Sequence, residues 1–106
     1  MKGGFGGGGM QGLMRQANQM QARMKKRQEE LALQEFEGTS GGGAVKVVAF
    51  GDNRIKTVDI QADAMSDKEM LQDLITTAVN EALRLAKTTS EQEMAKITGG
   101  FSMPGM

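Results

Sequence analysis

Apolar residues recur at Met10, Leu13, Met14, Ala17, Met20, Met24 and Leu31, and these spacings of three, four and seven belong to one face of a helix. They predict a single helix over residues 11–35, about 37 Å long at 1.5 Å per residue. No other feature constrains the fold as tightly. A chain of 106 residues has room for one domain, and a compact domain of that size is only about 26 Å across, twice its expected radius of gyration. Part of the helix must therefore project or lie on a partner. Met10, Ala17, Met24 and Leu31 form a heptad series, with Leu13 and Met20 as a companion series until Arg27 interrupts it. A seam that holds Ala, Met and a charge is too weak for a committed coiled coil.

The periodicity then changes. Phe36 to Ser40 is followed by Gly41, Gly42 and Gly43, a run that permits a tight reversal because glycine tolerates positive φ. AVKVVAF at 44–50 is apolar and β-branched, and RIKTVDI at 54–60 follows it across Gly51, Asp52 and Asn53, which predicts a hairpin. With 36–40 as an edge partner, the middle of the chain becomes a three-stranded antiparallel sheet with one face to cover. Leu71, Leu74, Ile75, Ala78, Val79, Ala82, Leu83 and Ala86 supply the cover as a helical stripe. Ser66 with Glu69 reads as that helix's capping box, Gly99 and Gly100 as its stop, and a second Ser90 to Glu93 box as a kink or restart. The expected fold class is α+β: long N-terminal helix, three strands, long C-terminal helix. Residues 1–9 are expected to be a flexible Gly-rich leader, 10–99 the single domain, and 100–106, with the only proline, a flexible tail.

Composition narrows the function. Only four aromatics are present, all Phe, and ten Met suit adaptable packing between helices or subunits, a hint of self-association. The absence of Cys and His removes thiolate and imidazole ligands and the usual general base. Asp59, Asp63, Asp67 and Asp73 could pair as acid and base or hold a divalent metal. Yet Asp67 and Glu69 belong to a first helical turn, where acids favour the helix dipole, and the others fall at strand ends or exposed positions. The glycine runs at 6–9 and 41–43 are not followed by the Lys-Ser/Thr pair of a phosphate-binding loop. No catalysis, cofactor, metal or small-molecule substrate is expected. No stretch approaches the roughly 18 apolar residues that span a bilayer, and no apolar core follows Lys2, so no membrane role and a cytoplasmic location are expected.

Thirteen basic and thirteen acidic residues cancel, but they are segregated. Residues 1–28 hold Lys2, Arg15, Arg23, Lys25, Lys26 and Arg27 with no acid, whereas 29–37 hold Glu29, Glu30, Glu35 and Glu37 with no base. Cations stabilise a helix near its C-terminus, yet in this helix the acids come last. Helix stability would not choose that order; a surface facing phosphates could, since Lys and Arg contacts to phosphate carry most sequence-independent DNA affinity. Because no aromatic is interleaved with these bases, duplex rather than single-stranded DNA is expected. Pairing offers an alternative for Lys25 with Glu29, Lys26 with Glu30 and Arg27 with Glu30, though base-before-acid is the poorer order. Arg15 and Arg23 have no acid within such reach.

From Met10 onward the chain resembles the YbaB/EbfC nucleoid-associated family. The resemblance is carried by QANQMQARMKKRQEELA in the first helix, EGTSGGGAVKV at 37–47, DKEMLQDLITTAVNEAL at 67–83 and the closing TGGFSMPGM. It implies an α-β-β-β-α protomer and a tweezer-like homodimer that binds double-stranded DNA in the nucleoid and influences gene expression. The candidate DNA-binding residues are Arg15, Arg23, Lys25, Lys26 and Arg27, with Arg84, Lys87 and Lys96 on the second helix as weaker ones. Gln16, Asn18, Gln19 and Gln21 are of the types that can read base edges. The rival reading is a protein–protein module, linked to DNA repair or replication, whose Met-rich helix docks a partner.

Overall fold

The computed structural model describes residues 3–99, with side chains from Gly9 onward. Residues 1 and 2 of the expected leader and 100–106 of the expected tail lie outside the described residues. Helix α1 spans Gly3–Leu33, strand β1 Glu35–Ser40, β2 Val45–Phe50, β3 Ile55–Ile60 and helix α2 Lys68–Thr98; short 3-10 turns occupy Gly41–Gly43 and Ala62–Ser66. The architecture is the expected α+β order of helix, three antiparallel strands and helix.

Helix α1 starts earlier and stops two residues sooner than the expected 11–35. Glycine in a helix interior costs about 1 kcal/mol relative to alanine, but it does not forbid helical dihedrals, and each residue added to an existing helix gains a backbone hydrogen bond. At the other end, the Gln34 N–H donates to Leu31 O at 3.1 Å and the Gly51 N–H donates to Gln34 O at 3.0 Å. Those bonds turn the chain so that Glu35 already stands opposite Phe50 in the sheet.

The strand order is β1-β2-β3, with Ser40 opposite Val45 at one end of the first pair and Val45 opposite Ile60 in the second. The reversal between β1 and β2 uses the glycine run as expected, with Gly41, Gly42 and Gly43 all at positive φ. One face of the sheet carries Phe36, Gly38 and Ser40 from β1 and Val45, Val47 and Ala49 from β2, all buried. Helix α2 lies on that face. Its eight-residue stripe packs as read: Ala78 and Ala82 join the buried valines, Leu71, Leu74, Ile75, Val79 and Leu83 flank them, and Ala86 joins Leu31 and Phe36 in a second cluster that ties in α1.

The helix backbone comes unusually close to β1. A methyl on Gly38 would overlap Ala78 O and Ala82 N, so only glycine there and alanines opposite let the layers meet. The one buried hydroxyl on this face is satisfied, since Ser40 Oγ donates to Leu74 O at 2.6 Å.

Two expectations about α2 are corrected. Its N-cap is Asp67, not Ser66: Asp67 is extended (φ −128°, ψ 104°) and its carboxylate accepts from the Met70 N–H at 3.1 Å. Ser66 closes the preceding 3-10 turn instead, donating to Asp63 O. Nor does the helix kink at Ser90, because α2 runs unbroken to Thr98. Glu93, read as the acid of a second capping box, is engaged elsewhere. Gly99 does follow the last helical residue, but in a right-handed conformation (φ −63°, ψ −22°).

The projection inferred from helix length is present. The radius of gyration is 21.5 Å and the principal extents are 80 × 27 × 15 Å, against about 13 Å for a compact chain of this size.

Candidate nucleic-acid interface

The projection is an arm made by the two helices. Leu31 of α1 shares a cluster with Ala86 of α2, and Arg27, one turn back on α1, meets Glu93, two turns on along α2. The helices are therefore antiparallel. On α1, Met20, Met24 and Arg27 are half-buried and Leu31 is buried, at the four-three-four spacing of a helix seam. Before Met20 the seam opens: Met10, Leu13 and Met14 are 64, 64 and 61% exposed.

Helical geometry sorts the basic residues into two groups. At about 100° per residue, Arg15, Lys25 and Lys26 lie on the half of α1 turned away from the seam, Arg23 lies on its flank about 70° from the seam's centre, and Arg27 falls within the seam. All four of the first group are exposed, and none is ion-paired among the described residues. The alternatives Lys25 with Glu29 and Lys26 with Glu30 are not formed. Arg15 and Lys26 point nearly the same way, about 16 Å apart along the axis. Exposed Gln16, Asn18, Gln19 and Gln21 stand among them.

Arg27 is different. Its Nε donates to Glu93 at 2.8 Å and its Nη1 to Glu30 at 3.1 Å. Those two bonds, Glu30's first, raise the guanidinium pKa further above its ordinary value. Glu93 also accepts from Lys96 at 2.9 Å, and Lys96 and then Arg27 hold its carboxyl below the usual carboxylate range. The α2 candidates divide similarly. Arg84 is bonded to Glu81, while Lys87 is exposed with no ion-pair partner among the described residues. Arg84 and Lys87 line an open groove of about 660 Å³ between α2 and the β2–β3 turn, beside Asn53, Asn80 and Ser90.

The four aspartates go where the chemistry of caps and strand ends predicts. Asp59 is exposed near the end of β3, Asp63 lies in the 3-10 turn, Asp67 caps α2 and Asp73 is exposed on it. Among the described residues no three acidic groups converge as metal ligands, and no helix is long and apolar enough to cross a membrane. Glu93 is the residue that local spacing missed. Its signal was Arg27 itself, since a charge inside a helix seam needs a partner on the facing helix.

Known proteins match this chain over nearly its whole length. The YbaB/EbfC DNA-binding family model matches residues 6–101. A nucleoid-associated protein of Caldanaerobacter subterraneus subsp. tengcongensis is 49% identical over 99% of this chain and 97% of its own. Another, from Pelotomaculum thermopropionicum, is 48% identical over 94% of this chain and 97% of its own. The crystal structure of an uncharacterised Helicobacter pylori protein shares the fold at a TM-score of 0.69 and 21% identity, covering 85% of this chain and 94% of that one. The chain belongs to the YbaB/EbfC DNA-binding family.

Proposed function

We propose that this protein is a non-enzymatic, nucleoid-associated homodimer that binds double-stranded DNA mainly through phosphate contacts and so influences gene expression. The observation that carries this reading is the separation on α1: four exposed cations without ion-pair partners among the described residues lie outside the seam. Phosphate contacts require side chains that are free to reach, and Arg15, Arg23, Lys25 and Lys26 meet that condition. Lys87 is a secondary candidate. The relatives named nucleoid-associated proteins support the nucleoid as the place of action.

A second copy is supported by the sheet. Val58 stands opposite Val47 and Ile55 opposite Ala49, on the face that α2 covers over β1 and β2, yet they are 44 and 41% exposed. That apolar strip beside α2, on an edge strand with unpaired backbone groups, suits an isologous contact. Sedimentation at micromolar concentration should show a dimer; a stable monomer would remove this part of the reading.

Four cations per protomer make eight per dimer, so log K should fall with log salt at a slope of about −7. Fluorescence anisotropy on a random-sequence duplex across a salt series measures it. Absence of binding at low salt would overturn the reading and favour partner docking, for which the exposed Met10, Leu13 and Met14 are the supporting observation.

A further inference from the structure

We infer that Arg27 is a positioning residue rather than a phosphate contact: forked between Glu30 on its own helix and Glu93 on α2, it sets the angle at which α1 presents the four free cations. The inference rests on the DNA-binding reading above and deepens it by giving Arg27 a role distinct from that of its neighbours in sequence.

The geometry separates them. Arg27 keeps 33% of its side chain exposed and Glu93 21%, and Nε and Nη1 are committed to two different carboxylates. A phosphate at the remaining Nη donors would stand beside Glu30 and Glu93, two acids already bonded to the same guanidinium. The cluster is also electrically closed: Arg27 and Lys96 carry two positive charges, Glu30 and Glu93 two negative. It offers a polyanion nothing in net charge.

Its place in the arm explains why an angle must be set there. Its half-buried neighbours along the arm include Met20, Met24 and Met94, flexible thioethers that fill space without fixing a direction. A planar guanidinium bonded at two nitrogens does fix one. Arg27 to Glu93 is the ion pair joining the two helices among the described residues. Everything N-terminal to it on α1, including Arg15, Arg23, Lys25 and Lys26, moves with that joint.

The test uses the full-length chain with Glu93→Arg, the exchange Arg27→Glu/Glu93→Arg, and Arg27→Lys. Each is assayed for affinity to a random duplex at low salt, for salt slope, and for amide exchange in residues 24–33. Glu93→Arg adds positive charge, so a plain electrostatic account expects tighter binding. Positioning expects the opposite, about five- to tenfold weaker binding, because Arg27 and Lys96 are repelled and the arm swings. The exchange should restore affinity to within about threefold with the original slope, since no phosphate contact has been lost. Arg27→Lys keeps the charge but loses the fork, and should weaken binding without changing the slope.

Binding by Glu93→Arg as tight as the parent's, with the exchange variant weak and its slope reduced by about 0.9 per protomer, would make Arg27 a phosphate contact and end the proposal. Amide exchange separates the two readings. If the parent shows no salt-dependent DNA binding, the functional reading fails; faster exchange in Glu93→Arg with recovery in the exchange variant would still support the joint, and unchanged exchange would overturn it.

Discussion

The two helices are the same length, 31 residues each, and both carry an apolar stripe, yet they do opposite things. On α2 the stripe narrows to Ala78, Ala82 and Ala86 where it meets the sheet, and all three are buried. On α1 the stripe is mostly methionine, half-buried where it runs beside α2 and bare beyond Met20. Small side chains bring backbones together and fix a single distance, whereas long flexible ones tolerate several. The body of the protein is therefore closely packed, and the arm, on the DNA-binding reading proposed above, is left to present its cations. Substitutions should divide the same way.

The largest effect is expected at Gly38. Gly38→Ala places a methyl against Ala78 O and Ala82 N, and neither backbone atom can move without lifting α2 off the sheet. The loss should reach or exceed the upper end of the usual 1–3 kcal/mol for overpacking, about 3 kcal/mol, measured by denaturant unfolding. Gly12→Ala on α1 is the contrast, because no atom lies within 4 Å of the added methyl. It should leave unfolding unchanged or slightly strengthen the helix. Equal losses at both positions would show that arm and body are one cooperative unit.

Arg23→Ala/Lys25→Ala/Lys26→Ala inverts the comparison. Removing three free cations from each arm should cut the salt slope by about 5, leaving it near −2, and abolish binding at physiological salt. The unfolding free energy should change by no more than about 0.5 kcal/mol per site, as expected of exposed residues without partners. If binding survives, DNA is gripped elsewhere, and the groove with Arg84 and Lys87 becomes the place to look.

The division between body and arm also explains what could be read from sequence. The sheet and α2 were legible because their determinants are local: a β-branched apolar run over 44–50, three glycines in a row, and a stripe at helical spacing. All eight stripe residues of α2 lie at the core. The apolar face of α1 was equally legible, but periodicity identifies a face and not what covers it. Arg27 was read with its neighbours because it adjoins them in sequence, while its partner Glu93 is 66 residues away, a separation no spacing rule spans. At the start of α2 a local rule misled by one position. Ser66 and Asp67 are both good caps, and the choice fell to Asp67 because Ser66 is used by the preceding turn.

That choice gives a smaller prediction for the body. Asp67→Ala should cost about 1 kcal/mol, the usual worth of an N-cap, and lower the melting temperature by several degrees. Ser66→Ala should cost far less, since Ser66 Oγ serves only an exposed turn. The reverse order would restore Ser66 as the cap.

The smallest expected effect is the arm's response to pH. Lys96 and Arg27 depress the folded-state pKa of Glu93, so the unfolded chain binds this proton more readily than the folded one. A depressed acid contributes its stabilisation above the unfolded carboxylate value, about 4.3, and loses it as pH falls through the lower folded value. The ion pair should therefore hold unchanged from pH 8 to 5, a range in which no His or Cys is present to titrate, and should weaken below about pH 4. Asp52 and Glu81 are depressed in the same direction by Arg54 and Arg84, so acid unfolding of the parent alone would not isolate Glu93. The difference between parent and Glu93→Gln does, because the other acids are common to both. Amide exchange in residues 24–33 should differ between the two proteins by a constant amount from pH 8 to 5, after correction for intrinsic exchange rates, and converge below pH 4. Convergence already at pH 6 would mean that the arm is held by some group other than this carboxylate.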